Sequence, residues 1–209
     1  GSTLRADFAT PWANALPLHR ELYANGTILG FNLGDELVWN CVLTEQVQTA
    51  AATVRKDFPR GGAIIWYNEA AMLQFPHNKC NTTHFSVDVK IPPELDWFSV
   101  DIYHMDGYES GWGDAHIKSY YEKYIFPNIS SVQRAILVPG SFGSDVNHFP
   151  NGTYVCDKSC YDDMCARDAD DFYAWASTDD RVAGVLTWNY GGCAACNGSQ
   201  WTPPHTCCM

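Results

Sequence analysis

Ile28-Leu-Gly-Phe-Asn-Leu-Gly-Asp-Glu-Leu37 reads as a buried strand that ends on an acidic pair. Successive side chains of a strand point to opposite faces, so Leu29, Phe31 and Leu33 fall on one side and Gly30, Asn32, Gly34 and Glu36 on the other. With helices packed outside the sheet, the apolar side meets those helices and the Gly/Asn/Glu side faces an enclosed centre. Glu36 then stands where the strand ends. The competing reading is an ordinary Glu in a loop, capping the next helix.

The same logic recurs along the chain. Residues 11 to 24 read as a helix interrupted at Pro17 and stopped by Asn25-Gly26. Beyond the opening strand, taken as 28–36, Thr44 can cap a helix in which Val47, Ala51, Val54 and Phe58 recur at helical spacing before Pro59 to Gly62 end it. A second strand over 63–68 leads into Glu69, and residues 70 to 94 are irregular. The third strand, 97–103, places Phe98, Val100 and Ile102 on one side and Ser99, Asp101 and Tyr103 on the other. Asp114 can cap a helix burying Ile117, Tyr120, Tyr121, Tyr124 and Ile125, ended by Pro127. Strands over 135–140 and 183–188 follow, separated by a long loop and a helix from about Asp168 to Ser177 carrying Phe172, Trp175 and Ala176.

The 209 residues suffice for one sizeable core, and 46% hydrophobic content excludes a disordered chain. With 13 basic against 24 acidic residues and no basic run, the net charge of −11 repels polyanions, which sets nucleic acid aside as a partner. No apolar run approaches the roughly 20 residues that span a bilayer, so no membrane insertion is expected. Five glycosylation sequons, at Asn25, Asn81, Asn128, Asn151 and Asn197, point together to a secreted or extracellular glycoprotein. Nine cysteines agree with an oxidising compartment and are read as disulfides stapling the loops at the strand ends. They include the Cys-rich tail at 193–209. Disulfides outweigh zinc in that setting, and the scattered histidines show no metal-binding pair, so no metal is expected.

Strands alternating with helices predict an α/β fold with a parallel sheet, its strands adjacent in chain order. A complete (β/α)8 barrel takes about 250 residues. The chain therefore reads as a single barrel-like domain over 1–209, partial in the sense of holding the last five βα units; an open five-stranded sheet is the alternative. Gly-Asp-Glu at one strand end, Phe-Ser-Val-Asp-Ile-Tyr in a later strand and Gly-Val-Leu-Thr-Trp-Asn in the last resemble the strands of glycoside-hydrolase barrels over roughly residues 28 to 192. The resemblance implies that Glu36 is the acid/base and that a second carboxylate stands on the strand carrying Asp101. The penultimate strand, Leu137-Val-Pro-Gly-Ser, lacks the nucleophile that several such families carry there.

Glycoside hydrolysis needs one protonated and one ionised carboxyl group, and Glu36, Asp101 and Glu69 are the candidates, Asp101 ahead of Glu69 as the partner of Glu36. Trp39, Tyr67, Tyr103, Trp188 and Asn189 stand near the same strand ends, where aromatic planes and an amide suit a carbohydrate. No phosphate-cradling glycine loop or nucleophile elbow is present, since Pro139-Gly-Ser-Phe-Gly143 lacks Gly-x-Ser-x-Gly spacing, and no cofactor is expected. The alternative function is a non-catalytic extracellular glycoprotein with a degenerate barrel, binding glycan or a protein partner or self-assembling.

Overall fold

The computed structural model describes residues 3–70, 91–102, 117–139 and 169–187. Along them run α1 (Ala9–Ala24), β1 (Gly30–Asp35), α2 (Thr44–Asp57), β2 (Ile64–Ala70), β3 (Trp97–Asp101), α3 (Ile117–Tyr120), β4 (Arg134–Leu137), a helix α4 over 169–178, and β5 (Val182–Val185). The protein is α/β, and its five strands form one parallel sheet in chain order, as the alternation predicts. β1, β3, β4 and β5 end before the ends read from sequence, whereas β2 runs on to Ala70. Among the described residues no helix is long and apolar enough to cross a membrane.

The chain divides into two compact units, Gly1–Asp101 with Tyr124–Ala135, and Ile102–Lys123 with Ile136–Met209. In the first unit, the apolar side of β1 does meet helices. Phe31 lies edge-on to Trp12 of α1 at 5.6 Å and 4.8 Å from Phe58, which closes α2. Trp12 also donates its indole N–H to Asp57 at 2.7 Å, joining α1 to α2. Leu29, expected on the same buried side, is 73% exposed, since it precedes the strand and the helices do not reach it. Helix α1 runs through Pro17 without a break, and α2 buries Val47, Ala51 and Val54 as its periodicity predicts.

Two local expectations need correcting. Thr44 is the first helical residue of α2 rather than its cap: Leu43 takes the extended cap conformation, and the Gln46 side chain reaches back to accept its N–H at 3.3 Å. Tyr124, expected in the core, is half-buried, because α3 continues as a wide turn over Tyr121–Ile125 and a tight one over Phe126–Asn128 that carries Pro127. That change of pitch rotates later side chains away from ideal helical positions.

At the N-terminal ends of β2 and β3, Asp96 gathers the first unit together. Its carboxylate accepts the Ile65 N–H at 2.8 Å, Arg55 of α2 at 2.5 Å and Arg60 at 3.0 Å. Arg55 also donates to the carbonyls of Glu94 and Phe58, so one guanidinium satisfies backbone from two connections. In the second unit, Tyr121 stands edge-on to Trp175 at 5.3 Å and donates its hydroxyl to the Ile136 carbonyl at 3.1 Å, tying helix to strand. Arg181 holds both Asp179 and Glu122, and this contact pulls the Asp179 carboxyl down to about 2.

Replacing Arg55 with Met keeps the aliphatic bulk but leaves Asp96 with Arg60 and the Ile65 N–H. The expected loss is about 2–3 kcal/mol, below the about 3–5 kcal/mol for breaking a fully buried pair, because the contact is part-buried and Arg60 still reaches Asp96. Urea unfolding checks this; a midpoint unchanged from wild type would show that the network contributes nothing.

Candidate active site at the ends of three strands

The site is built on an irregularity in β1. Gly30, Phe31 and Asn32 pair in step with Ile64, Ile65 and Trp66, but the next partner of Asn68 is Asp35, so β1 holds one extra residue. Its cause is local. The Asn32 carboxamide accepts the Gly34 N–H at 2.9 Å, a turn-like bond that competes with the ladder. Gly34 sits at φ 145°, a conformation that a residue with a Cβ rarely adopts. Because side-chain direction alternates, one extra residue reverses it. Asp35 therefore joins Asn32 on the polar face of the sheet, in the place that unbroken alternation gives to Gly34. At the other end of the strand, Gly30 is required by proximity: a Cβ there would lie 2.2 Å from the Ile64 carbonyl oxygen.

Asn68 is the centre of that polar face. It is 1% exposed, and its side-chain nitrogen donates to Asp35 at 2.6 Å and to Asp101 at 2.8 Å. Its carbonyl oxygen accepts the Ser99 hydroxyl at 2.5 Å, and Ser99 in turn accepts the Trp66 indole N–H at 2.8 Å. Every donor in this chain points the same way, so the amide can face only with its nitrogen toward the carboxylates, which accept and do not donate when ionised. Two carboxylate oxygens bonded to one nitrogen at these distances lie closer than the roughly 6.5–9.5 Å carboxyl spacing of inverting glycosidases and within reach of the about 5–5.5 Å of retaining ones. Asp101 is 7% exposed, whereas Asp35 faces solvent.

Glu69, one residue further along β2, lies on the opposite face. It is 7% exposed and accepts the backbone N–H groups of Val38 at 2.9 Å, Trp39 at 3.2 Å and Ala70 at 2.8 Å, as well as the Tyr67 hydroxyl. Burial pushes its carboxyl up to about 6, against the pull of these donors, which favour the charged form. Burial, and then the charge of Glu69, push the Tyr67 hydroxyl upward in turn.

The candidates named from sequence are therefore separated. Asp101 is on the polar face with Asp35, which sequence reasoning missed as an inward group together with Asn68. Glu69 is beneath the turn over 36–41. Glu36 opens that turn at φ 48°, its N–H bonded to the Asn68 carbonyl at 3.0 Å. Trp39 is half-buried on the turn, and Tyr67 is 3% exposed with its ring 5.8 Å from Phe98, which makes it a core residue with a polar tip. Asn25 and Asn128 are exposed. Tyr103, Trp188, Asn189, Asn81, Asn151 and Asn197 lie outside the described residues, as does every cysteine but Cys41, which is disulfide-bonded. Among the described residues no group of three or more His, Cys, Asp or Glu side chains could hold a metal ion.

Comparison with protein-family models, curated proteins and solved structures finds no match to the chain. The site must be judged on its own geometry.

Asn68→Leu removes the donor shared by two carboxylates and the acceptor of Ser99 at once. Leaving buried polar groups unsatisfied costs about 1–3 kcal/mol each, so the variant should lose at least 2 kcal/mol (about two such groups). Thermal unfolding at neutral pH measures this, and a melting temperature equal to wild type would mean that water replaces the amide without cost.

Proposed function

We propose that the protein is a secreted glycoside hydrolase of the retaining type, with Asp101 and Asp35 as its carboxylate pair. The observation that carries this reading is the single Asn68 amide nitrogen donating to both carboxylates at the C-terminal ends of parallel strands, where parallel α/β folds put their chemistry. In the proposed reaction Asp101, oriented by its hydrogen bond from Asn68, attacks the anomeric carbon and displaces the leaving oxygen. Asp35 gives that oxygen a proton, then takes one from the water that hydrolyses the glycosyl-enzyme. Solvent exposure suits Asp35 to this exchange. Glu36, the acid/base favoured by the resemblance, is one residue beyond Asp35 on the turn and is the second candidate for the proton donor.

A partial (β/α)8 barrel is the finer architecture proposed with this reading. One face of β1 to β3 carries Phe31, Tyr67 and Phe98, with Phe31 against the helices; the other carries Asn32, Trp66, Asn68, Ser99 and Asp101, as an enclosed barrel interior would. The exposed sequon asparagines Asn25 and Asn128 and the disulfide at Cys41 support an extracellular glycoprotein, and carbohydrate is the partner proposed for the carboxylate pair. Disulfides stapling the loops at the strand ends belong to the same proposal.

Release of reducing sugar from a panel of glycans tests the function. Asp101→Asn should abolish it, and loss of proton transfer in Asp35→Asn should lower the rate by about 10²- to 10⁴-fold. If Glu36→Gln shows that loss and Asp35→Asn does not, the proton belongs to Glu36. Glycan binding without turnover would replace the hydrolase with the non-catalytic glycan-binding protein.

A further inference from the structure

We propose that the turn over 36–41 closes onto Glu69, and that it is held closed more firmly in acid than at neutral pH. This stands independently of the glycosidase reading, although the turn carries Glu36 and Trp39.

The turn is a compact unit. Within it Asn40 donates to the Glu36 carbonyl, Cys41 to Val38 and Val42 to Leu37, each at 2.9 Å. The N–H groups of Val38 and Trp39 are directed instead at the Glu69 carboxylate beneath. Glu36 at φ 48° and Cys41 at φ 73° mark the two ends, both non-glycine residues in the left-handed region where side chains crowd the backbone. Cys41, at the far end, is disulfide-bonded.

What the turn covers is a carboxylate with no cation against it among the described residues. From its own strand Glu69 faces Tyr67, and from β3 the uncharged Val100, its partner in register. The turn brings two amides and carries Glu36 as its charged side chain. Asp35 and Asp101 belong to the opposite face, with Asn68. On α2, Arg55 and Asp57 are engaged with Asp96 and with Trp12 and Arg20, while Glu45 and Lys56 are exposed.

Opening returns Glu69 to water and to its ordinary carboxylate value of 4.5, whereas closed it titrates at about 6. The closed state therefore binds a proton more tightly. Its advantage is complete below 4.5 and is lost as pH rises through about 6. The three backbone donors oppose this shift without cancelling it. The difference corresponds to an opening equilibrium up to about 30-fold smaller in acid than at neutral pH.

Amide hydrogen exchange of the full chain from pH 4 to 7.5, expressed as protection factors that remove the intrinsic pH dependence, reads this directly. Protection of the Val38 and Trp39 amides should rise as pH falls through about 6, while that of Phe58, at the end of α2, should not. Glu69→Gln, permanently neutral, should abolish the rise. If that variant does not fold, Tyr67→Phe serves: the Tyr67 hydroxyl lowers the proton affinity of Glu69, so its removal should move the rise to higher pH. Wild-type protection that is flat or falls in acid overturns the proposal. So does a rise that persists in Glu69→Gln or stays in place in Tyr67→Phe.

Discussion

Between Asn32 and Asp35, β1 holds one residue more than the strand beside it, and a strand that gains a residue turns over every side chain beyond that point. The bond from the Gly34 N–H to the Asn32 carboxamide and the φ of Gly34 produce the extra residue. Its effect is to set Asp35 beside Asn68 and to leave Glu36 at the start of a turn. Without it the polar face would end on a glycine, and Asn68 would bond one carboxylate instead of two. The arrangement of the strand ends follows from that displacement.

Asn68 and Glu69 are adjacent in sequence and do opposite work because a strand alternates. The Asn68 amide is the common donor to two acidic groups that would otherwise repel one another, and its own oxygen is satisfied by Ser99. Two hydrogens and one acceptor are all used, as a nearly inaccessible amide requires. Among the described residues Glu69 has no cation and relies on backbone N–H groups and Tyr67. Such donors favour ionisation, but burial outweighs them, which is why its carboxyl moves up to about 6 rather than down. One of the two residues holds side chains across the polar face; the other holds a loop.

The elements were legible in the sequence because their signals are periodic and additive. Val47, Ala51 and Val54 define the buried stripe of α2, and the apolar runs of the strands locate all five. Register was less legible. Alternation across 28–36 assumes an unbroken strand, whereas Asn32-Leu33-Gly34 carried the warning, an amide two residues before a glycine inside a strand. With that signal weighed, Asp35 and not Glu36 would have been placed on the inner face. Asp101 was found correctly on the polar side because β3 has no such interruption. Asn68 is a neutral residue beside an acidic one, and its importance comes from β1 and β3 on either side, a contact that no local pattern encodes. The position of Tyr67 near a strand end is visible in the sequence, whereas its facing depends on register. Alternation with Ile65 and Glu69 puts it on the buried side.

The pairing of Asp35 with Asp101 through Asn68 is the centre of this account, and covalent trapping tests it most directly. A panel of 2-deoxy-2-fluoro glycosyl fluorides, which let the first displacement proceed but slow the release of the glycosyl-enzyme, should label the protein once, and peptide mass spectrometry should find the sugar on Asp101. A label on Glu36 or Glu69, or turnover of a glycoside substrate with inversion at the anomeric carbon, would contradict it.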